Sequence, residues 1–191
     1  PPIFHSEADF QFALVWEIQC SYPHAEIRLE YTTPEDRSRY IDILVRDNGF
    51  YYPIELKYKT KTVGDCSRRK VSIKESWGAG SGKYDFVKDI CRVESFANHL
   101  EGVKCAMCCG LRTTLTTQAV RVLDIQISAL TMGPKNRGNK GGDILSTGTT
   151  RGREQELLLR GEYMISWHEY SDLGIKNGMF KLSLVRVEAQ P

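Results

Sequence analysis

An Asn48-Gly49 pair stands between two short runs of alternating residues, and no other feature constrains this chain as tightly. Asn-Gly is the dipeptide preferred in a two-residue type I′ turn, because both central positions need a positive φ. If that turn forms, the pairing of residues 40–58 follows from it. Asp47 faces Phe50, Val45 faces Tyr52, Ile43 faces Ile54 and Ile41 faces Leu56. That face is apolar and is expected in the core. The opposite face pairs Arg46 with Tyr51, Leu44 with Pro53, Asp42 with Glu55, and Tyr40 with Lys57. Counted from the turn, 42/55 is a non-hydrogen-bonded pair, where Cβ atoms lie about 4.5–5.5 Å apart. Two carboxylates so placed repel each other unless something positive lies between them. A divalent cation meets that need better than Lys57 alone.

The rest of the chain reads as alternating helices and strands. Ser6 is a helix cap with Asp9 at the third helical position, and Phe10, Leu14 and Ile18 recur at four-residue spacing, which predicts a helix over 7–19. Glu7 and Gln11 lie on or beside its apolar stripe, where polar groups need partners. Residues 25–31 read as a strand and 32–39 as a turn. A basic segment follows the hairpin, with Lys57, Lys59, Lys61, Arg68, Arg69, Lys70 and Lys74 opposed only by Asp65. Phe86, Ile90, Val93, Ala97 and Leu100 predict a second helix over 84–100. Residues 103–111 should form a buried strand, 118–130 a strand or helix, and 162–170 and 179–188 late strands. The Gly-, Lys- and Thr-rich stretch 133–153 reads as a mobile basic loop. The expectation is a single α/β domain over 1–191, a mixed central sheet flanked by helices.

Composition narrows the classes. With 191 residues and 41% hydrophobic content the chain can bury a core. No apolar run approaches the roughly 20 residues needed to span a bilayer, and the first residues lack a secretion signal. A net charge of +2 permits nucleic-acid binding without arguing for it. Cys105, Cys108 and Cys109 have zinc-knuckle spacing, but no second Cys or His pair stands at a matching distance. Packing inside a strand is the favoured reading and a zinc module the lesser one. His5, His24, His99 and His168 show no ligand spacing. A reducing cytoplasm is the expected compartment.

Asp42 with Glu55-Leu56-Lys57 resembles the D…(D/E)-x-K core of the PD-(D/E)XK nuclease superfamily, which includes restriction and repair endonucleases. Ser6-Glu7…Gln11, Ile27-Arg28-Leu29-Glu30, the segment 84–94 and Trp167-His168-Glu169-Tyr170-Ser171 are similar to a group of bacterial proteins of that type. Two departures stand out: Ile41 precedes Asp42 where a proline is usual, and 111–117 lacks an Asn-Asp step. The resemblance implies a restriction-endonuclease-like fold and hydrolysis of phosphodiester bonds, expected in DNA, by an Mg2+-dependent enzyme in which Mn2+ can substitute. Asp42 and Glu55 would bind the metal, with the Leu56 carbonyl and Glu7 as further ligands. Lys57 would stabilise charge on the phosphate or help orient and deprotonate the attacking water. Glu30 is a weaker candidate, expected to pair with an arginine.

Lys59, Lys61, Arg68, Arg69, Lys70, Lys88 and Arg92 are the candidate nucleic-acid contacts, since neutralising phosphates supplies much of such affinity. For Lys88 and Arg92, pairs within the helix with Asp85 and Asp89 compete with that role. Tyr58, Trp77 and Tyr84 are candidates for stacking on bases. A homodimer stays open. The rival reading keeps the fold but not the turnover: an inactive module that binds nucleic acid or a protein partner.

Overall fold

The structure is a computed structural model that describes residues 1–32, 40–60, 63–66, 71–73, 82–113, 120–122, 126–127 and 157–188. In chain order its elements are α1 (Glu7–Ser21), β1 (Glu26–Thr32), β2 (Tyr40–Asp47), β3 (Phe50–Lys59), β4 (Val63–Cys66), β5 (Val71–Ile73) and α2 (Gly82–His99). There follow β6 (Cys105–Thr113), β7 (Val120–Val122), β8 (Gln126–Ile127), β9 (Leu157–Leu158), β10 (Tyr163–Ile165), β11 (His168–Asp172) and β12 (Met179–Glu188). Six strands form the central sheet in the order β1-β2-β3-β6-β12-β11. Only β3 and β6 run parallel, joined through α2, so the sheet is mixed and the fold is α/β.

The hairpin forms as its turn chemistry demands. Asn48 and Gly49 both have positive φ, 50° and 82°, and the ladder runs from Asp47↔Phe50 to Ile43↔Ile54 in the register expected. Where the ladder stops, the chain does something that simple alternation misses. Ile43 and Val45 pack on the α1 side of the sheet with Ile54, Leu56 and Phe180, but Ile41 packs on the α2 side with Ile90, Val93 and Cys108. In β1 the same exchange occurs, Leu29 on the α1 side and Tyr31 on the α2 side. Between them lies Glu30, with φ of 51°, in line with Asp42 of β2. A left-handed residue resets the alternation of its strand, at a cost of about 1–2 kcal/mol. The apolar face expected to hold 41, 43 and 45 together is therefore split at Asp42.

At the hairpin both faces of the sheet are covered, whereas β12 exposes Leu184 and Arg186. The polar face of the hairpin is also buried, since Leu44, Pro53 and Glu55 are all enclosed. Ser6 caps α1 by accepting from the Asp9 N–H at 3.1 Å, and the helix runs two residues beyond the expected end. Cys105, Cys108 and Cys109 are buried free thiols within β6, in keeping with strand packing. Glu94 of α2 grips the returning chain: its carboxylate accepts from the Arg160 and Gly161 N–H groups and from the Tyr163 hydroxyl at 2.6 Å. The strand expected over 162–170 is two shorter ones, β10 and β11, and the β4–β5 pair forms within the segment expected only to be basic. The basic loop 133–153 lies outside the described residues.

Candidate active site

Strand β3 builds the site by losing its neighbour. After Ile43↔Ile54 the β2 ladder ends, and the next two β3 N–H groups on that edge, from Leu56 and Tyr58, have no strand to donate to. Side chains take them. Leu56 N–H donates to Asp42 Oδ2 at 2.6 Å, and Tyr58 N–H donates to Glu7 Oε2 at 2.6 Å. The expected face-to-face rung of Asp42 and Glu55 is thus replaced by a bond from the Asp42 carboxylate to the backbone one residue past Glu55. The two acids remain close enough for Asp42 to raise the Glu55 pKa. Gln11, buried on α1, donates its amide to the Asp42 carbonyl at 2.8 Å and to Glu30 Oε1 at 3.2 Å. Glu30 therefore meets a glutamine where an arginine was expected.

On the α2 side, three rungs of charge join helix to strand. Glu55 pairs with Arg92, Lys57 Nζ lies 3.0 Å from Asp89 Oδ2, and Lys59 Nζ lies 3.9 Å from Asp85 Oδ2. The spacing explains the match. Every second residue of a strand advances about 6.7 Å and every third or fourth helical residue about 4.5–6 Å, so antiparallel docking brings 55, 57 and 59 against 92, 89 and 85. Arg92 also reaches Asp89 at 3.7 Å, the within-helix pair weighed from the sequence. From the sequence Asp89 is expected only as that helical neighbour. Its alternation with Asp85, opposite in charge to Lys57 and Lys59, was the signal available.

Burial governs the electrostatics. Desolvation lifts the Asp42 carboxyl to about 6, with the Leu56 N–H opposing and the charges of Glu7 and Glu30 adding to the rise. Glu55, 1% exposed, is pushed up to about 9 by desolvation and then by Asp42, against the pull of Arg92. Desolvation likewise raises Asp89 to about 6, against Lys57. Burial works to lower Lys57, but Asp89, Glu7 and Glu55 outweigh it and hold the ammonium above its ordinary value. Lys57 is accordingly a cation suited to steadying negative charge, and a poor base.

Two carboxylate oxygens in this cluster, Glu55 Oε2 and Asp89 Oδ2, are buried without a hydrogen-bond partner, but Asp89 Oδ2 has the Lys57 ammonium 3.0 Å away. On Glu55, Oε1 is held by Arg92 and Oε2 is left unpaired. Leaving a buried carboxylate oxygen unpaired is costly. Together with Asp42 and the Leu56 carbonyl, which leaves the strand on the same edge as its N–H, this oxygen is a hard donor set of the kind Mg2+ takes, completed by water and substrate. Among the described residues no group of three or more Asp, Glu, His or Cys side chains is placed to hold an ion, so the protein's side-chain share would be the two acids. Glu7 contributes its charge nearby, one oxygen being committed to Tyr58.

Of the candidate nucleic-acid contacts, Lys59 and Arg92 are drawn into the rungs and Lys88 stands exposed on α2. Lys61, Arg68, Arg69 and Lys70 lie outside the described residues, as does Trp77 and the side chain of Tyr84. Tyr58 is buried and its hydroxyl donates to the Phe4 carbonyl, so it packs and does not stack on a base. Among the described residues no helix is long and apolar enough to cross a membrane. Comparison of the chain with protein-family models, curated proteins and solved structures finds no match.

Proposed function

We propose that this chain is a divalent-metal-dependent phosphodiesterase with a restriction-endonuclease-like fold, acting on nucleic acid, with DNA the expected polymer. The observation that carries the reading is the unpartnered Glu55 Oε2 set beside Asp42 at the edge where β2 leaves β3. Asp42, Glu55 and the Leu56 carbonyl would hold Mg2+ or Mn2+, with Glu7 supporting. When bound, the metal polarises the phosphodiester and lowers the pKa of a water nucleophile. Lys57, kept protonated by Asp89, steadies charge developing on the phosphate. Gln11 and the Leu56 N–H fix the Asp42 backbone and carboxylate, so its remaining oxygen points consistently.

Titrating Mn2+ into the metal-free protein by calorimetry, beside cleavage assays on plasmid DNA and RNA with Mg2+ or Mn2+, tests this. Binding that Glu55→Ala abolishes, with cleavage lost in a folded Asp42→Ala protein, is the expected result. A protein that takes up no Mn2+ and cuts neither polymer would refute it. The second reading, an inactive binding module, draws on the three rungs, which already neutralise Glu55 and Lys57 from within the chain. It expects no specific Mn2+ uptake.

A further inference from the structure

The same face of the sheet carries a second polar cluster, which starts from the Lys59 rung of β3. Lys59 lies opposite Arg112 on β6, and Arg112 lies opposite Lys181 on β12. Directly opposed residues share a face, so three cations form a row across three strands. Ser183, two residues along β12 and opposite Gly110, joins them on that face. Like charges in direct opposition are destabilising, and the row has little to offset them. Lys59 has its Asp85 rung at 3.9 Å. The Arg112 guanidinium lies over the Trp167 ring, 3.8 Å from its centre, which sets its plane without neutralising it. Lys181 is 1% exposed and makes no ion pair among the described residues. Glu169, its neighbour on β11, is exposed.

Two atoms of this cluster are also orphaned. Arg112 Nε and Ser183 Oγ are buried with no hydrogen-bond partner. Burial lowers the Arg112 pKa to about 10, as expected of a cation without a counter-charge. Native proteins pair such groups, and a buried guanidinium N–H and hydroxyl beside the unpaired Lys181 ammonium suit an oxyanion with several acceptor oxygens. We propose that Arg112, Lys181 and Ser183 form a phosphate-binding site, with Lys59 at its margin toward the acid pair. The site rests on the row and its orphaned donors and needs no metal. Beside the acid pair it would hold a phosphate group of the substrate other than the one being cut.

The full-length metal-free protein, titrated with inorganic phosphate by calorimetry and thermal unfolding, tests it. Phosphate should bind and raise the melting temperature, and Arg112→Gln or Lys181→Met should weaken binding by about ten-fold or more, the scale of a lost charge-assisted contact. Glu55→Gln, which removes the metal reading, should bind phosphate as the parent does, so the two ideas fail separately. A short single-stranded oligonucleotide that displaces the phosphate identifies a backbone phosphate as the natural occupant; one that does not identifies a free phosphate or nucleotide. If Arg112→Gln does not fold, Lys181→Met and Ser183→Ala carry the test. No phosphate binding by the parent, or equal binding by the folded variants, overturns the proposal.

Discussion

The two helices meet the central sheet by different physics. On the α1 side the contact is apolar, Phe4 and Phe10 against Ile43, Leu56 and Phe180, and the polar groups that cross it, Glu7 and Gln11, each bond a backbone atom, Gln11 reaching the Glu30 carboxylate as well. On the α2 side, apolar packing of Phe86, Ile90 and Val93 is joined by three side-chain ion pairs. Backbone anchors fix position through single short hydrogen bonds. Ion pairs between buried groups answer to pH, salt and competing cations. The candidate site lies between a face that sets geometry and a face that sets charge.

The largest expected effect breaks the geometric side. Phe180 is fully buried, and Phe180→Ala should cost about 3–5 kcal/mol in urea unfolding. Asp42→Asn comes next. It keeps the size of the side chain, yet under the proposed function it should cut DNA cleavage by about 10²–10³-fold, read at saturating Mg2+, with circular dichroism unchanged. Glu7→Gln tests the helix-to-backbone bond: loss of a charge-assisted acceptor for the Tyr58 N–H should destabilise by about 1–2 kcal/mol.

The pH response sharpens the electrostatic side. Folded Asp42, Asp89 and Glu55 hold their protons above the ordinary carboxylate values of 3.8 and 4.5. The folded state therefore binds more protons than the unfolded one above pH 4, so the stabilising contribution is full at lower pH and is lost as pH rises. The metal-free melting temperature should fall through about pH 6 for the two aspartates and on toward 9 for Glu55, and Glu55→Gln should flatten the upper part of that slope. Smallest is the outermost rung. Asp85→Asn should cost about 0.2–1 kcal/mol, less in high salt, because both partners of Lys59–Asp85 keep some contact with water.

Much of the geometric side was readable from residues alone. Asn48-Gly49 dictated the hairpin register, the four-residue spacing of Phe10, Leu14 and Ile18 placed α1, and β12 spans 179–188, the late strand expected there. Reading failed where a strand departs from its period. Ile41 changes sides where β2 runs beside the left-handed Glu30 of β1, and nothing about a glutamate announces a positive φ. The charge side was harder still. Lys57–Asp89 and Glu55–Arg92 join positions more than 30 residues apart, and the docking of α2 on β3 decides which carboxylate meets which cation. The Arg112–Lys181 opposition is hidden for the same reason, since it exists only once β12 returns beside β6.

The backbone at Glu30 sets chain comfort against site precision at a single position. Glycine there would release about 1–2 kcal/mol of torsional strain while stripping the Gln11 amide of an acceptor, a loss of similar size. A Glu30→Gly chain would then melt near the parent temperature yet steer Asp42 less firmly. Screens that score variants by thermal denaturation would pass over this residue, although it holds the glutamine that bonds the Asp42 carbonyl.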